Sequence, residues 1–224
     1  MESSYRNLGF FLLALIPIFV AGFWIPCLSE FPQFGASITW AVHVHAVLLF
    51  VWVGLLIIQP LSVHYKAFSL HRTLGSISYV LMPLIVIFAT AMIWKEYQEK
   101  VAAGFETSFA RNAEFLSAAQ LVLVAVFYAL AIAAIRTRDA GTHMRYMICI
   151  GLFLLPAGLA RVLGYWFRIR QVSSQTVCLI VIELVLVFLI GYNLRRRQNA
   201  KPFVIAFVAY TVSELFWIAA GRPV

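Results

Sequence analysis

Charge is scarce in this chain. Of 224 residues only 12% are Asp, Glu, Lys or Arg, against 63% hydrophobic. So few charges cannot clothe a soluble globular domain, and that class is excluded. Cysteine is scarce too: Cys27, Cys149 and Cys178 are odd in number and form no CxxC spacing, so neither a disulfide framework nor a thiolate zinc site is indicated. GxSxG, HExxH, a Gly-Lys-Ser/Thr phosphate loop and a GxGxxG turn are all absent, so standard soluble-enzyme chemistry is not indicated. No CxxCH occurs, so any haem would be held non-covalently.

What is present is a series of apolar runs, about 8–26, 38–59, 73–94, 113–135, 144–167, 175–194 and 202–220, separated by short charged or Pro/Gly-containing connections. Each is long enough for one transmembrane helix, which takes roughly 20 apolar residues. The expected fold is a single all-α membrane domain of about seven helices over residues 1–224. The first run lacks an A-x-A-like cleavage site and is read as a retained span, the proline of Ile25-Pro26-Cys27 arguing against lipoprotein processing. Trp24, Trp40, Trp94, Trp166 and Trp217 lie near span ends, as interfacial belts require.

The formal charge of +8 falls mainly between apolar runs, where basic residues set orientation; a nucleic-acid partner is not expected. With the N-terminus inside, the inner face collects Arg6, Lys66, Arg72, Arg136, Arg138, Arg145, Arg195, Arg196, Arg197 and Lys201. The outer face receives Lys95, Lys100, Arg111, Arg168, Arg170 and Arg222, together with Glu96, Glu99, Glu106 and Glu114. This bias predicts N-terminus in and C-terminus out.

Ionisable groups inside apolar runs are costly, and they mark the candidate sites. At about 1.5 Å rise per residue, His43, His45, Gln120, Arg161, Glu183 and Glu214 all fall roughly 8–12 Å below the outer boundary, on five helices. Arg161 is expected to pair with Glu183 or Glu214. His43 and His45 diverge by about 200° on a helix, so only one can face the pocket. One imidazole with Glu183 and Glu214 has the ligand count of a catalytic zinc site, with iron or copper as alternatives, and Arg161 would then hold an anionic ligand. Without a metal the same groups form a proton relay.

At the inner side His64, His71 and His143 lie among Lys and Arg. His71 and His143 open two spans at similar height and could ligate a haem b iron from both sides. The stretches from His71 and from His143 also echo one another, each with an arginine nearby and a proline twelve or thirteen residues on, Pro83 and Pro156. A duplicated helix pair would explain this.

The order His43-Val44-His45, Gln59-Pro60, His71-Arg72-x-Leu74-Gly75 and His143-Met144-Arg145, with Pro156 and Arg161 downstream, resembles a bacterial family of uncharacterised multi-pass membrane proteins. The resemblance covers roughly residues 40 to 165. It implies a small polytopic protein of the bacterial inner membrane and carries no activity. Three readings follow: an outer-half pocket for a metal ion or small anion, with or without catalysis; a b-type haem electron carrier; and a non-catalytic subunit that assembles with a membrane-protein partner. A transporter has less support, since no inverted repeat is evident.

Overall fold

The computed structural model describes residues 7–25, 27–30 and 40–220. Arg6, Pro26 and Arg222 lie outside the described residues. Every regular element described is helical: α1 (Leu8–Leu12), α2 (Leu15–Trp24), a 3₁₀ turn at Leu28–Glu30, α3 (Trp40–His64), α4 (Phe68–Ala102), α5 (Thr107–Arg136), α6 (Ala140–Tyr165), α7 (Gln171–Arg195) and α8 (Lys201–Ala219). Helices α3 to α8 are each long and apolar enough to cross a membrane, and α1 with α2 forms a shorter apolar seventh. The all-α seven-helix membrane bundle is therefore what this sequence forms.

Boundaries differ from the apolar runs in instructive ways. Helix α4 continues eight residues past the expected end at 94, because hydrogen bonding does not stop where hydrocarbon stops. Lys95–Glu99 at 3.3 Å and Glu96–Lys100 at 3.8 Å, both i,i+4 pairs, support that extension. Helix α3 runs through Pro60 to His64. The first run is broken at Leu13–Ala14, where Ala14 N bonds Phe11 O and Ile16 N bonds Leu13 O in tight i→i−3 geometry.

Consecutive helices pack side by side from α3 to α8, as short connections require. Helix α6 is the hub: α2, α3, α5, α7 and α8 all touch it. Its core face carries Phe153, edge-on to Phe127 of α5 at 5.0 Å and stacked on Tyr210 of α8 at 5.6 Å. Glycine lets α2 reach α6: a Cβ on Gly22 would sit 2.5 Å from the Gly158 carbonyl oxygen. Small residues are how membrane helices approach closely.

The three turns at the end assigned to the inner face share one construction. Lys66, Arg138 and Arg197 adopt left-handed φ values of 60°, 63° and 55° just past α3, α5 and α7. In each turn the following residue bonds five back: Ala67 N to Ser62 O, Asp139 N to Ala134 O and Gln198 N to Asn193 O. This is the Schellman stop, normally closed by glycine. Here a cation occupies the strained position, beside the negative end of the helix dipole.

Two readings are corrected by packing. Trp217 is not part of an interfacial belt: it is 2% exposed and its indole N–H donates to Asn112 O at 3.2 Å, tying α8 to α5. Arg145 is not an interfacial charge: it is 1% exposed, and its Nε donates to Asn193 Oδ1 at 3.0 Å between α6 and α7.

Candidate functional site

The six residues expected at the outer-half pocket divide between two places. Gln120, Glu183 and Glu214 gather around Tyr210, where α5, α7 and α8 meet. Thr211 donates to Glu183 Oε1 at 2.6 Å across the α7–α8 seam. His45 and Arg161 belong to a separate group between α3 and α6, within one another's field. Half-buried His43 lies two residues away on α3, on a diverging face. Among the described residues no three His, Cys, Asp or Glu side chains are placed to hold a metal ion, so His43, His45, Glu183 and Glu214 form no such set.

Arg161 forms no ion pair with Glu183 or Glu214 among the described residues. Its guanidinium lies over the Phe23 ring at 4.7 Å, and Nη1 donates to Ala157 O at 2.5 Å. The carboxylate in its field is Glu96 of α4, which lies within hydrogen-bond reach of Glu114 on α5. Lys100 bonds Glu114, which is only 6% exposed. The outer end of the α3–α6 bundle thus holds His45, Glu96, Lys100, Glu114 and Arg161. Glu96, Lys100 and Glu114 read as outer-face charges from hydropathy alone. The signal that could have found the first two is the Glu96–Lys100 i,i+4 spacing, which extends α4 past the apolar run, where Lys100 bonds Glu114.

At the inner end His71 and His143 are electrostatic neighbours. Each is anchored in the same way. His71 Nδ1 donates to Gln59 O at 3.3 Å, and His143 Nδ1 donates to Ala131 O at 2.9 Å. In both cases the carbonyl lies twelve residues earlier on the preceding helix. A carbonyl only accepts, so this geometry puts the proton on Nδ1 and leaves the Nε2 lone pair directed elsewhere. The echo between the two stretches is therefore an echo of hydrogen bonding, with α3–α4 and α5–α6 as equivalent pairs. The Gly75 backbone fits against the Gln59 side chain, 3.6 Å from where its Cβ would stand, which ties Gln59-Pro60 to the His-Arg-x-Leu-Gly element.

Between the two ends the bundle interior stays partly polar. Trp52 of α3 is 1% exposed and meets Tyr128 of α5 edge-on at 5.7 Å. The Tyr128 hydroxyl bonds Ser78 Oγ of α4 at 2.8 Å. His64, by contrast, sits at the end of α3 with its ring edge-on to those of Phe10 and Tyr65. Comparison with protein-family models, with curated proteins and with solved structures returned no match.

Proposed function

We propose that this multi-pass membrane protein holds a b-type haem between His71 and His143 and carries single electrons. The observation behind this reading is the matched anchoring of two neighbouring imidazoles by backbone carbonyls. A ligating histidine nearly always donates its other ring N–H to such an acceptor, which fixes tautomer and ring plane and strengthens the lone pair. A bare ion would want three or four protein ligands. A haem would need only two imidazole ligands from the protein, and His71 and His143 would supply them. His71 and His143 would hold the group through their Nε2 lone pairs, and bound there it would supply one-electron redox chemistry.

The test is the optical spectrum of protein purified in mild detergent after expression with ample haem. A Soret band that is lost in His71→Ala and in His143→Ala is the expected result. Colourless wild-type protein, or a band that survives both substitutions, defeats the reading.

The outer cluster favours a second reading, binding of a small anion at Arg161. A guanidinium offers five N–H donors, and here one is used on the helix's own Ala157 carbonyl. Anions such as phosphate or a short dicarboxylate would then raise the melting temperature of the wild type and not of Arg161→Gln. Equal response in both proteins would rule this out.

A further inference from the structure

Three buried side-chain atoms without a hydrogen-bond partner among the described residues recur along one helix, α3: His45 Nδ1, Trp52 Nε1 and Gln59 Oε1. They are seven residues apart, nearly two full turns, so they lie along one stripe of α3 with a drift of only about 20° per step. Trp52, the middle one, is 1% exposed and packed in the main core. In hydrocarbon an unsatisfied polar group costs several kcal/mol, and no bulk water reaches it. One such atom is an accident of packing. Three in register, across the middle of the bilayer, call for a common partner.

That partner must both donate and accept. Trp52 Nε1–H only donates, and an amide oxygen such as Gln59 Oε1 only accepts. Water does both, and buried waters typically satisfy groups of this kind. Each step of the stripe is about 10.5 Å along the axis, a gap that roughly three waters bridge. The Ser78 and Tyr128 hydroxyls, already bonded to one another at 2.8 Å, stand beside Trp52 and add further sites that donate and accept. At the outer end His45 lies in the field of Arg161, which also acts on Glu96, and Glu96 lies beside Glu114 and Lys100.

We infer that this stripe of α3 holds a file of water molecules that conducts protons through the bundle between the Glu96–Glu114 cluster and the inner end at Gln59. Each hop is balanced: a water accepts one proton from its outer neighbour and releases another to its inner neighbour, and the file then turns over to its starting orientation. No oxidant or reductant takes part. Trp52 and Gln59 do not relay protons; they hold the waters in line. The inference is independent of haem binding.

The test uses the full chain in phosphatidylcholine–phosphatidylglycerol vesicles with a pH-sensitive dye inside, a potassium gradient, and valinomycin to set the voltage. Proton flux well above that of protein-free vesicles is expected. Trp52→Phe and Gln59→Leu should each reduce it about tenfold, the equivalent of one lost buried hydrogen bond. Gln59→Glu keeps a polar group at the same place and should conduct, which separates a broken file from a misfolded protein. Flux no greater than in protein-free vesicles would overturn the inference, as would wild-type flux in both Trp52→Phe and Gln59→Leu. So would equal losses in Gln59→Leu and Gln59→Glu. None of these outcomes bears on the Soret band, so the haem reading stands or falls separately.

Discussion

At the residue scale, the buried polar groups divide into those that hold the fold and those that face the bundle interior. Arg145 is the plainest of the first kind, enclosed between α6 and α7 with its Nε on Asn193 Oδ1, while Asn193 Nδ2 in turn donates to Leu189 O at 2.7 Å. Asn193→Leu strips a partner from a buried guanidinium. It should cost about 2–3 kcal/mol, read as a lower melting temperature in detergent. Asp139 is different, exposed at the start of α6, where its Oδ1 accepts from Thr142 N at 2.9 Å. That backbone bond, with help from the Thr142 side chain, holds the carboxyl below the usual carboxylate range. Since the folded value is depressed, its contribution is in place above the unfolded value and disappears as pH falls through the folded one. Asp139→Asn should therefore differ most from wild type near neutrality, and the two melting curves should converge in acid. Removing the cap altogether in Asp139→Ala should cost about 1 kcal/mol.

Elements are joined here by how helices end and how closely they touch. Lys66, Arg138 and Arg197 each hold a left-handed conformation that glycine adopts without strain. Glycine at any one of them relieves about 1 kcal/mol of strain and forfeits a cation at a helix C-terminus, worth a few tenths to 1 kcal/mol. The net expectation is a small gain in melting temperature. Gly22 and Gly54 make a sharper contrast. Alanine at Gly22 drives a methyl into the Gly158 backbone, whereas nothing stands within 4 Å of a Cβ at Gly54. Gly22→Ala should lose about 1–3 kcal/mol and free α2 for proteolysis. Gly54→Ala, inside α3, should gain up to about 1 kcal/mol from helix propensity. Equal behaviour of the two variants would contradict the close approach of α2 and α6.

For the whole molecule, the α3–α6 bundle carries polar groups at both ends, and α7 and α8 pack against its α5–α6 side while α1 and α2 cover α3 and α6. Orientation in the bilayer is the property on which the two ends depend. Moving Arg145 into the core removes it from the inner tally and leaves the basic excess at that end intact. We expect single cysteines at Gly104 and at Arg138 to react with an impermeant thiol reagent from opposite sides of the membrane, the first from outside. Arg138 reacting from outside would invert the assignment. The three native thiols are one half-buried and two buried, so the background must be set with a variant lacking Cys27.

The sequence by itself determined the solvent, the number of helices and the residues worth watching. Seven apolar runs admit no other regular structure in a bilayer, where each backbone N–H must find its acceptor within the chain. His45, Arg161, His71 and His143 stood out because a charge or imidazole in hydrocarbon is never incidental in cost. Only tertiary structure decided which of them meet. Counting residues gives depth along a helix axis and says nothing of azimuth or neighbour. Six groups at one depth therefore divided between two places, with Arg161 near Glu96 rather than Glu183 or Glu214. The carbonyls that anchor His71 and His143, and the direction in which the stripe of His45, Trp52 and Gln59 faces, were equally hidden. They depend on how each helix rotates against its neighbour, which side-chain packing sets and hydropathy does not record.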